Sequence, residues 1–275
     1  MIINCKNPPK NFRGIVCVNK DMGGQKNEVI NHYDTDDNKV YCAKISQRSK
    51  KESNEYNFYL DFHNAIYKNK FPKMYLKFIP IIKNYQCTKN KKKYFIMENL
   101  FNGLNKKNTK FVDIKLGKIT AHSSKGSNFI KRVRHSYIDR VMSNSNINNY
   151  RMEGGGNYKN KNKRMKASSS KIINYILEDT YEYIIDEINF KLENLLKLLE
   201  KNYKIASGEI NGKYVWDTVG TSLFIAHDNK KSVVKLIDFN HAEIHSVKYI
   251  DNKIVKLSYN IYEGLNSFIY DFNRS

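Results

Sequence analysis

"NTKFVDIKLGKIT", residues 108–120, alternates apolar and polar side chains through Val112, Asp113, Ile114, Lys115 and Leu116 before reaching Gly117. Period-two alternation marks a strand with one face in a core. Residues two apart share a face, so Asp113 and Lys115 stand together while Ile114 and Leu116 face inward. An edge strand carrying a same-face ion pair would read identically, so the stretch has to be judged by what surrounds it.

Upstream, "KMYLKFIPIIKNYQC" (73–87) and "KKKYFIMENL" (91–100) read as strands, the second running into a turn at "FNGLN" (101–105). "GIVCV" (14–18) and "KVYCAKIS" (39–46) have strand composition, with turn chemistry in "KDMGGQKN" and "DTDDN". Residues 50–69 read as a helix with Phe58, Tyr59, Phe62, Ala65 and Ile66 on one face. Downstream, "NFIKRVRHSYIDRVM" (128–142) is helical, and the Asn/Lys/Gly-rich stretch to residue 170 reads as an irregular, partly mobile connection. Ser168, Ser169 and Ser170 offer N-caps to one long amphipathic helix over 171–203. Its core stripe is Ile172, Ile173, Ile176, Leu177, Ile184, Ile188, Leu192, Leu195 and Leu199. Strands return at "KYVWDTVGTSLFIAHD" (213–228) and "SVVKLIDFNHAEI" (232–244), and "YEGLNSFIYDF" (262–272) is a closing helix. The order gives an α+β, two-lobed outline, with residues 1–100 as a first lobe, 101–275 as a second, and no internal repeat.

A chain of 275 residues, 40% hydrophobic and 13% aromatic, can bury a sizeable core. Its 48 Lys and Arg against 27 Asp and Glu leave a net charge of +21. Such a field attracts nucleic acid, acidic membranes or small polyphosphates. The abundance of Lys, Asn, Ile and Tyr also matches an AT-rich coding bias, a second source for the charge. Cys5, Cys17, Cys42 and Cys87 form no CxxC pair, and no histidine cluster completes a metal site. Reduced thiols and a reducing compartment are expected. "MIINCKNPPKNFRG" lacks the apolar core of a signal peptide, and "YLKFIPII" (75–82) is too short to span a bilayer. A soluble cytoplasmic or nuclear protein, monomeric, is therefore expected.

Four short features fall in the order a phosphotransferase needs. Lys44 in "VYCAKIS" lies on a first-lobe strand, where an ammonium can reach ATP phosphates. Glu55, eleven residues on, can pair with it from the following helix. "FIMENL" (95–100) is an apolar strand running into a turn, suited to a hinge whose backbone groups hold adenine. Asp238 in "KLIDFNHAEI" ends an apolar strand, where a carboxylate can meet Mg2+ held by phosphate oxygens. Singly, each has a bland alternative: a solvated lysine, or an aspartate that only forms a turn.

Together, "DIKLG" (113–117), "GTSLFIAHD" (220–228) and "IDFNHA" (237–242) resemble the inositol polyphosphate kinase family. That family carries PxxxDxKxG, then an SSLL element, then IDF near the C-terminus. Asp113, Lys115 and Gly117 fit the first; Thr221, Ser222, Leu223 and Phe224 the second; Ile237, Asp238 and Phe239 the third. Glu55, Phe58 and Tyr59 fit the family's E-x-x-F-Y helix, and "RMEG" (151–154) is similar to the segment after its substrate-binding insert. The resemblance covers roughly 40–270; it departs at Thr109, which stands at the proline position.

The resemblance implies a two-lobed fold of the ATP-grasp/protein-kinase-like type, with a small N-lobe sheet and a larger α+β C-lobe. It also implies an ATP- and Mg2+-dependent kinase whose acceptor is an inositol phosphate. Lys115 would sit by the transferred phosphate. Asp113 would orient a hydroxyl or accept its proton. Asp238 would hold Mg2+ with Ser222 in support, Lys44 would touch the α- and β-phosphates, and the backbones of Glu98 and Leu100 would meet adenine. Lys118, Lys131, Arg132 and Arg134, with His135 and Arg140 nearby, would line the acceptor pocket, although a solvated basic face reads the same. The trisphosphate 3-kinases of that family carry a much larger helical insert between the positions of Lys118 and Arg151. Shortness here points to a multikinase or a hexakisphosphate kinase. A protein kinase would show G-x-G-x-x-G and H-R-D-x-x-x-x-N, and neither occurs. A basic nucleic-acid-binding protein and a non-catalytic inositol-phosphate-binding homologue are the alternatives; the first shows no RRM, KH, zinc-finger or helix-turn-helix signature, and the second must explain why Asp113, Lys115 and Asp238 are all present.

Overall fold

The structure, a computed structural model, describes residues 2–4, 29–34, 39–45, 47–48, 51–52, 54–89, 92–105, 107–119, 137, 143–156 and 160–275. Its first half runs β1 (Ile2–Asn4), β2 (Val29–Asp34), β3 (Lys39–Ile45), β4 (Gln47–Arg48), β5 (Lys51–Glu52), α1 (Asn54–Tyr67), β6 (Ile82–Lys89), β7 (Lys92–Glu98) and β8 (Lys110–Leu116). The second half runs α2 (Ser145–Asn148), β9 (Tyr150–Gly155), α3 (Lys161–Met165), α4 (Ser169–Leu177), α5 (Glu182–Ala206), β10 (Tyr214–Asp217), β11 (Ser222–His227), β12 (Ser232–Ile237), β13 (Glu243–Ser246) and α6 (Asn252–Phe272). The expected strand at 14–18 lies outside the described residues, as does the 128–142 helix apart from Tyr137.

Two main sheets organise the chain. The first has the order β1-β6-β7-β3-β2, antiparallel except for the β1–β6 pair. The second has the order β12-β11-β8-β9 and is antiparallel throughout. β8 is thus an interior strand, which removes the edge-strand reading of residues 108–120. Val112, Ile114 and Leu116 are buried on its inner face as the alternation requires. One continuous core joins both sheets to the helices. It contains Phe58, Tyr59 and Phe62 of α1, Phe95 of β7, Ile114 of β8, the apolar stripe of α4 and α5, and Leu265 and Phe268 of α6.

Four expectations are corrected. The single helix over 171–203 is two, α4 and α5, broken where Asp179 takes a left-handed φ of 54°. Asn229, in the β11–β12 turn, donates to the Asp179 carbonyl at 2.6 Å and pins the break, a tertiary contact that periodicity cannot show. Lys73–Lys77 is a 3-10 helix rather than the start of a strand. There the Tyr75 hydroxyl donates to the Leu198 carbonyl at 3.0 Å and accepts from Trp216 Nε1 at 3.2 Å, which draws the segment onto the core. "RMEGG" (151–155) is not irregular but lies in β9, hydrogen-bonded to β8. Gly155 (φ 80°) is required because a Cβ there would lie 2.0 Å from the Phe111 carbonyl oxygen. Finally, Cys42 is disulfide-bonded, not a reduced thiol.

The closing helix begins ten residues earlier than the apolar pattern suggests, because the Asp251 side chain caps it by accepting from the Ile254 N–H at 2.8 Å. No helix among the described residues is long and apolar enough to cross a membrane.

Candidate active site

Sheet register places the three motifs in one line. Ser222 of β11 lies opposite Lys115 of β8 and, on its other side, opposite Ile237 of β12. Asp238 follows directly. Its left-handed backbone (φ 67°) is uncommon for a residue with a side chain, although aspartate tolerates it better than most. The turn sends Phe239 into the core, stacked on Phe58 at 5.0 Å, and leaves the Asp238 carboxylate in the cleft.

That carboxylate joins the two sheets. Its Oδ1 accepts from Lys44 Nζ at 2.7 Å and its Oδ2 from Lys115 Nζ at 3.2 Å. Lys44 also donates to Glu55 Oε1 at 2.9 Å, and Lys115 to Ser222 Oγ at 3.3 Å. Lys44 of β3, Glu55 of α1, Lys115 of β8 and Asp238 after β12 therefore form one chain of alternating charges. Burial opposes the charge on both lysines. Asp238 and Glu55 outweigh it at Lys44, and Asp238, Asp113 and Glu153 at Lys115, so both are held above the usual lysine range. Burial likewise raises Asp238, but the two ammonium groups overcome it and hold this carboxyl well below its usual range. Glu55, 1% exposed, is raised by burial against the pull of Lys44.

Asp113 differs. It is 4% exposed, and its Oδ1 has no hydrogen-bond partner. Burial and then the negative charge of Asp238 push it up to about 7, against the lowering effects of Lys115 and Ser222. A buried carboxylate left short of a partner is costly unless something arrives to engage it.

The glycine of "DIKLG" has a packing reason. Gly117 (φ 85°) has its backbone under Gly264 of α6, where a Cβ on Gly264 would come within 2.3 Å of the Gly117 nitrogen. Gly117 donates its N–H to the Asn149 carbonyl at 2.7 Å. This contact seats α6 against the end of β8 and fixes where Lys115 emerges.

At the hinge, the Glu98 N–H is taken by the Ile81 carbonyl at 2.7 Å. That N–H is therefore not free for another partner, and the Glu98 carbonyl and the backbone of Leu100 are the groups left of those expected to meet adenine. The Glu98 carboxylate accepts from the Ile81 N–H at 3.1 Å and from Lys235 Nζ at 3.2 Å. Lys235, only 9% exposed on β12, also donates to the Ile79 carbonyl at 3.2 Å. Sequence reasoning missed Lys235, though a lysine inside the apolar run "SVVKLI" was the signal. It also passed over Glu153, which adds negative charge near Asp113 and Lys115 while bound to Arg151 at 2.7 Å. Lys118 is exposed just beyond Gly117, and Lys131, Arg132 and Arg134 lie outside the described residues.

No family model and no curated protein sequence matches the chain. Solved structures do. The inositol phosphate multikinase of S. cerevisiae, in complex with ADP and Mn2+, superposes with a TM-score of 0.52 at 19% identity, over 78% of this chain and 94% of that one. A second inositol phosphate multikinase structure gives 0.54 at 15% identity, over 78% and 98%. At these identities the likeness is one of fold, and it supports the two-lobed α+β architecture expected from the sequence: the chain has the fold of the inositol phosphate kinases.

Proposed function

We propose that this chain is an ATP-dependent inositol phosphate kinase of the inositol polyphosphate kinase family, of the multikinase or hexakisphosphate kinase type. The observation that carries the reading is the convergence of Lys44, Lys115 and Asp238 within hydrogen-bond distance, beside a buried and underpartnered Asp113. It stands on a fold shared with a kinase solved with ADP and Mn2+.

The donor set fits Mg2+. Among the described residues no group of three or more His, Cys, Asp or Glu side chains could hold a metal alone. Mg2+ is commonly held by one or two carboxylates completed by phosphate oxygens and water, and Asp238 would supply such a carboxylate. When bound, the metal would neutralise charge on the β- and γ-phosphate oxygens.

The chain's own groups would divide the remaining work. Lys44, steadied by Glu55, neutralises the α- and β-phosphates. Lys115 meets the γ-phosphoryl oxygens, where negative charge must be held as the transfer proceeds. The acceptor hydroxyl oxygen bonds to the γ-phosphorus as the bond to the β–γ bridging oxygen breaks and ADP leaves. The hydroxyl proton passes to the Asp113 carboxylate, whose affinity for protons near neutrality suits a general base. Lys118, Lys131, Arg132 and Arg134 are assigned to the acceptor's other phosphates.

The test is a panel of purified inositol phosphates with labelled ATP, run on wild type and Lys115→Ala. Loss of a charge-stabilising group should lower turnover by on the order of a hundredfold or more. Near-normal turnover in the variant would refute the role of Lys115. No phosphate transfer to any member of the panel by the wild type would refute the activity.

A further inference from the structure

A second basic site lies away from the nucleotide cleft. A cavity of about 710 Å3 opens between the end of α1, the 3-10 turn after Pro72, the last turns of α5 and the approach to β10. None of its lining residues belongs to the cleft described above. Lys68, Lys70, Lys73, Lys201 and Lys213 line it, and no Asp or Glu does. In proportion to the chain's 48 basic and 27 acidic residues, five cations would bring about three carboxylates. The lining is therefore more basic than the chain's average composition.

Helix ends account for only part of that excess. α1 and α5 both present C-terminal ends here, and lysines are favourable beside such ends. Each end is worth about half a negative charge, so two of them offset roughly one of the five ammonium groups. Lys70 has a further partner, the Tyr214 ring, with Nζ 4.3 Å from its centroid. None of the five forms an ion pair with another described residue. Uncompensated positive charge is gathered round a concavity whose floor is buried Phe71, Tyr75, Leu198 and Asn202. Its volume falls within the ordinary range of small-molecule sites.

We infer that this cavity is a binding site for a small polyanion carrying two or more clustered phosphate groups, separate from the catalytic cleft. Lysines suit such a ligand because their ammonium groups are mobile point charges that adapt to several phosphate positions. The same chemistry is presented by a soluble polyphosphate and by the headgroup of a multiply phosphorylated lipid. The inference does not depend on the kinase reading.

Hydrogen exchange on the full chain, with and without inorganic tripolyphosphate, localises binding whatever the cleft does. Protection is expected in residues 68–75 and 198–214. Lys73→Glu combined with Lys201→Glu reverses two exposed charges and touches no residue of the proposed catalytic machinery. It should abolish that protection and weaken binding at these segments by at least about tenfold, while protection elsewhere, including α6, stays that of the wild type and so reports an intact fold. In parallel, flotation with phosphatidylcholine vesicles, with and without phosphatidylinositol bisphosphate, separates the sources. Capture by the phosphorylated vesicles, lost in the double variant, identifies a lipid headgroup. Tripolyphosphate protection without capture identifies a soluble ligand. No protection of 68–75 and 198–214 in the wild type, or protection unchanged by the double charge reversal, would overturn the site.

Discussion

Replacing Asp113 with asparagine should stabilise the nucleotide-free protein above neutral pH while abolishing its activity. Asp113 is 4% exposed, and its Oδ1 is without a partner. Its carboxyl is pushed up to about 7 from an ordinary 3.8, first by burial and then by the charge of Asp238. A group whose folded pKa lies above its unfolded value contributes stability that is fully present below the unfolded pKa and lost as pH rises through the folded one. For Asp113 that window runs from about pH 4 to pH 7, and across it the unfolded chain ionises while the native state holds its proton. The difference corresponds to a ceiling of ~4 kcal/mol. Linked ionisation of Lys115 and Asp238 returns part of it, so a gain of about 1–3 kcal/mol for Asp113→Asn is expected at pH 8. At pH 4 the native wild type carries a neutral side chain there, as the variant does, and the difference should fall below about 1 kcal/mol. Urea denaturation at the two pH values, read as a change of midpoint at constant slope, makes the measurement. A variant less stable than wild type at pH 8, or a difference that ignores pH, would refute the argument that this carboxylate is held at a cost.

Gly117→Ala should cost about 2–4 kcal/mol, from a left-handed backbone penalty and lost amide bonds. Its Cβ would sit 2.1 Å from Asn260 Nδ2, on a side chain that pairs with both the N–H and the carbonyl of Ile119, so a loss of less than about 0.5 kcal/mol, the scatter of surface substitutions, would show that the contact yields freely. Lys235→Met should leave the Glu98 carboxylate short of its cation and lower stability by about 1–3 kcal/mol, less than for a fully buried pair because Glu98 reaches solvent. The same variant should raise the KM for ATP more than it lowers kcat if the hinge is what Lys235 steadies; a pure loss of kcat would place its effect elsewhere. Arg132→Ala with Arg134→Ala should raise the KM for highly phosphorylated acceptors more than the KM for ATP, and equal effects on both would remove that segment from acceptor selection.

What the sequence made legible is what local periodicity controls. The alternation in residues 108–120 describes β8 correctly because one face of that strand is buried, and the stripe from Ile172 to Leu199 describes the buried faces of α4 and α5. Misreadings occurred where a distant contact overrides the local pattern. Nothing near Asp179 announces that Asn229, fifty residues on, will pin a helix break there. Nothing in "RMEGGG" distinguishes a flexible loop from a strand whose glycine allows a neighbouring carbonyl to within contact distance. Glycine-rich composition is common to both, and only the partner strand decides between them.

The site was legible in its parts for a different reason: charged residues at the ends of apolar strands are costly, and they recur in an order. Their convergence, however, is a property of register. Lys115, Ser222 and Ile237 are collinear only because β11 pairs with β8 and β12 without a slip. A one-residue shift of β11 would turn Ser222 to the opposite face and bring Leu223, now fully buried in the core, to the ammonium of Lys115. Leu223, Ile225, Val234 and Leu236 pack in the main core and Phe224, Ala226 and Ile237 in a second one, so that shift would exchange side chains between two differently filled cores. The hydrophobic pattern that makes the sheet therefore also aligns the charges, and Asp238 needs only its left-handed turn to complete the line. This is why substitutions at Leu223 or Ile225, which touch no charged group of the cleft, should disturb the Lys115–Asp238 pair as surely as changes to the pair itself.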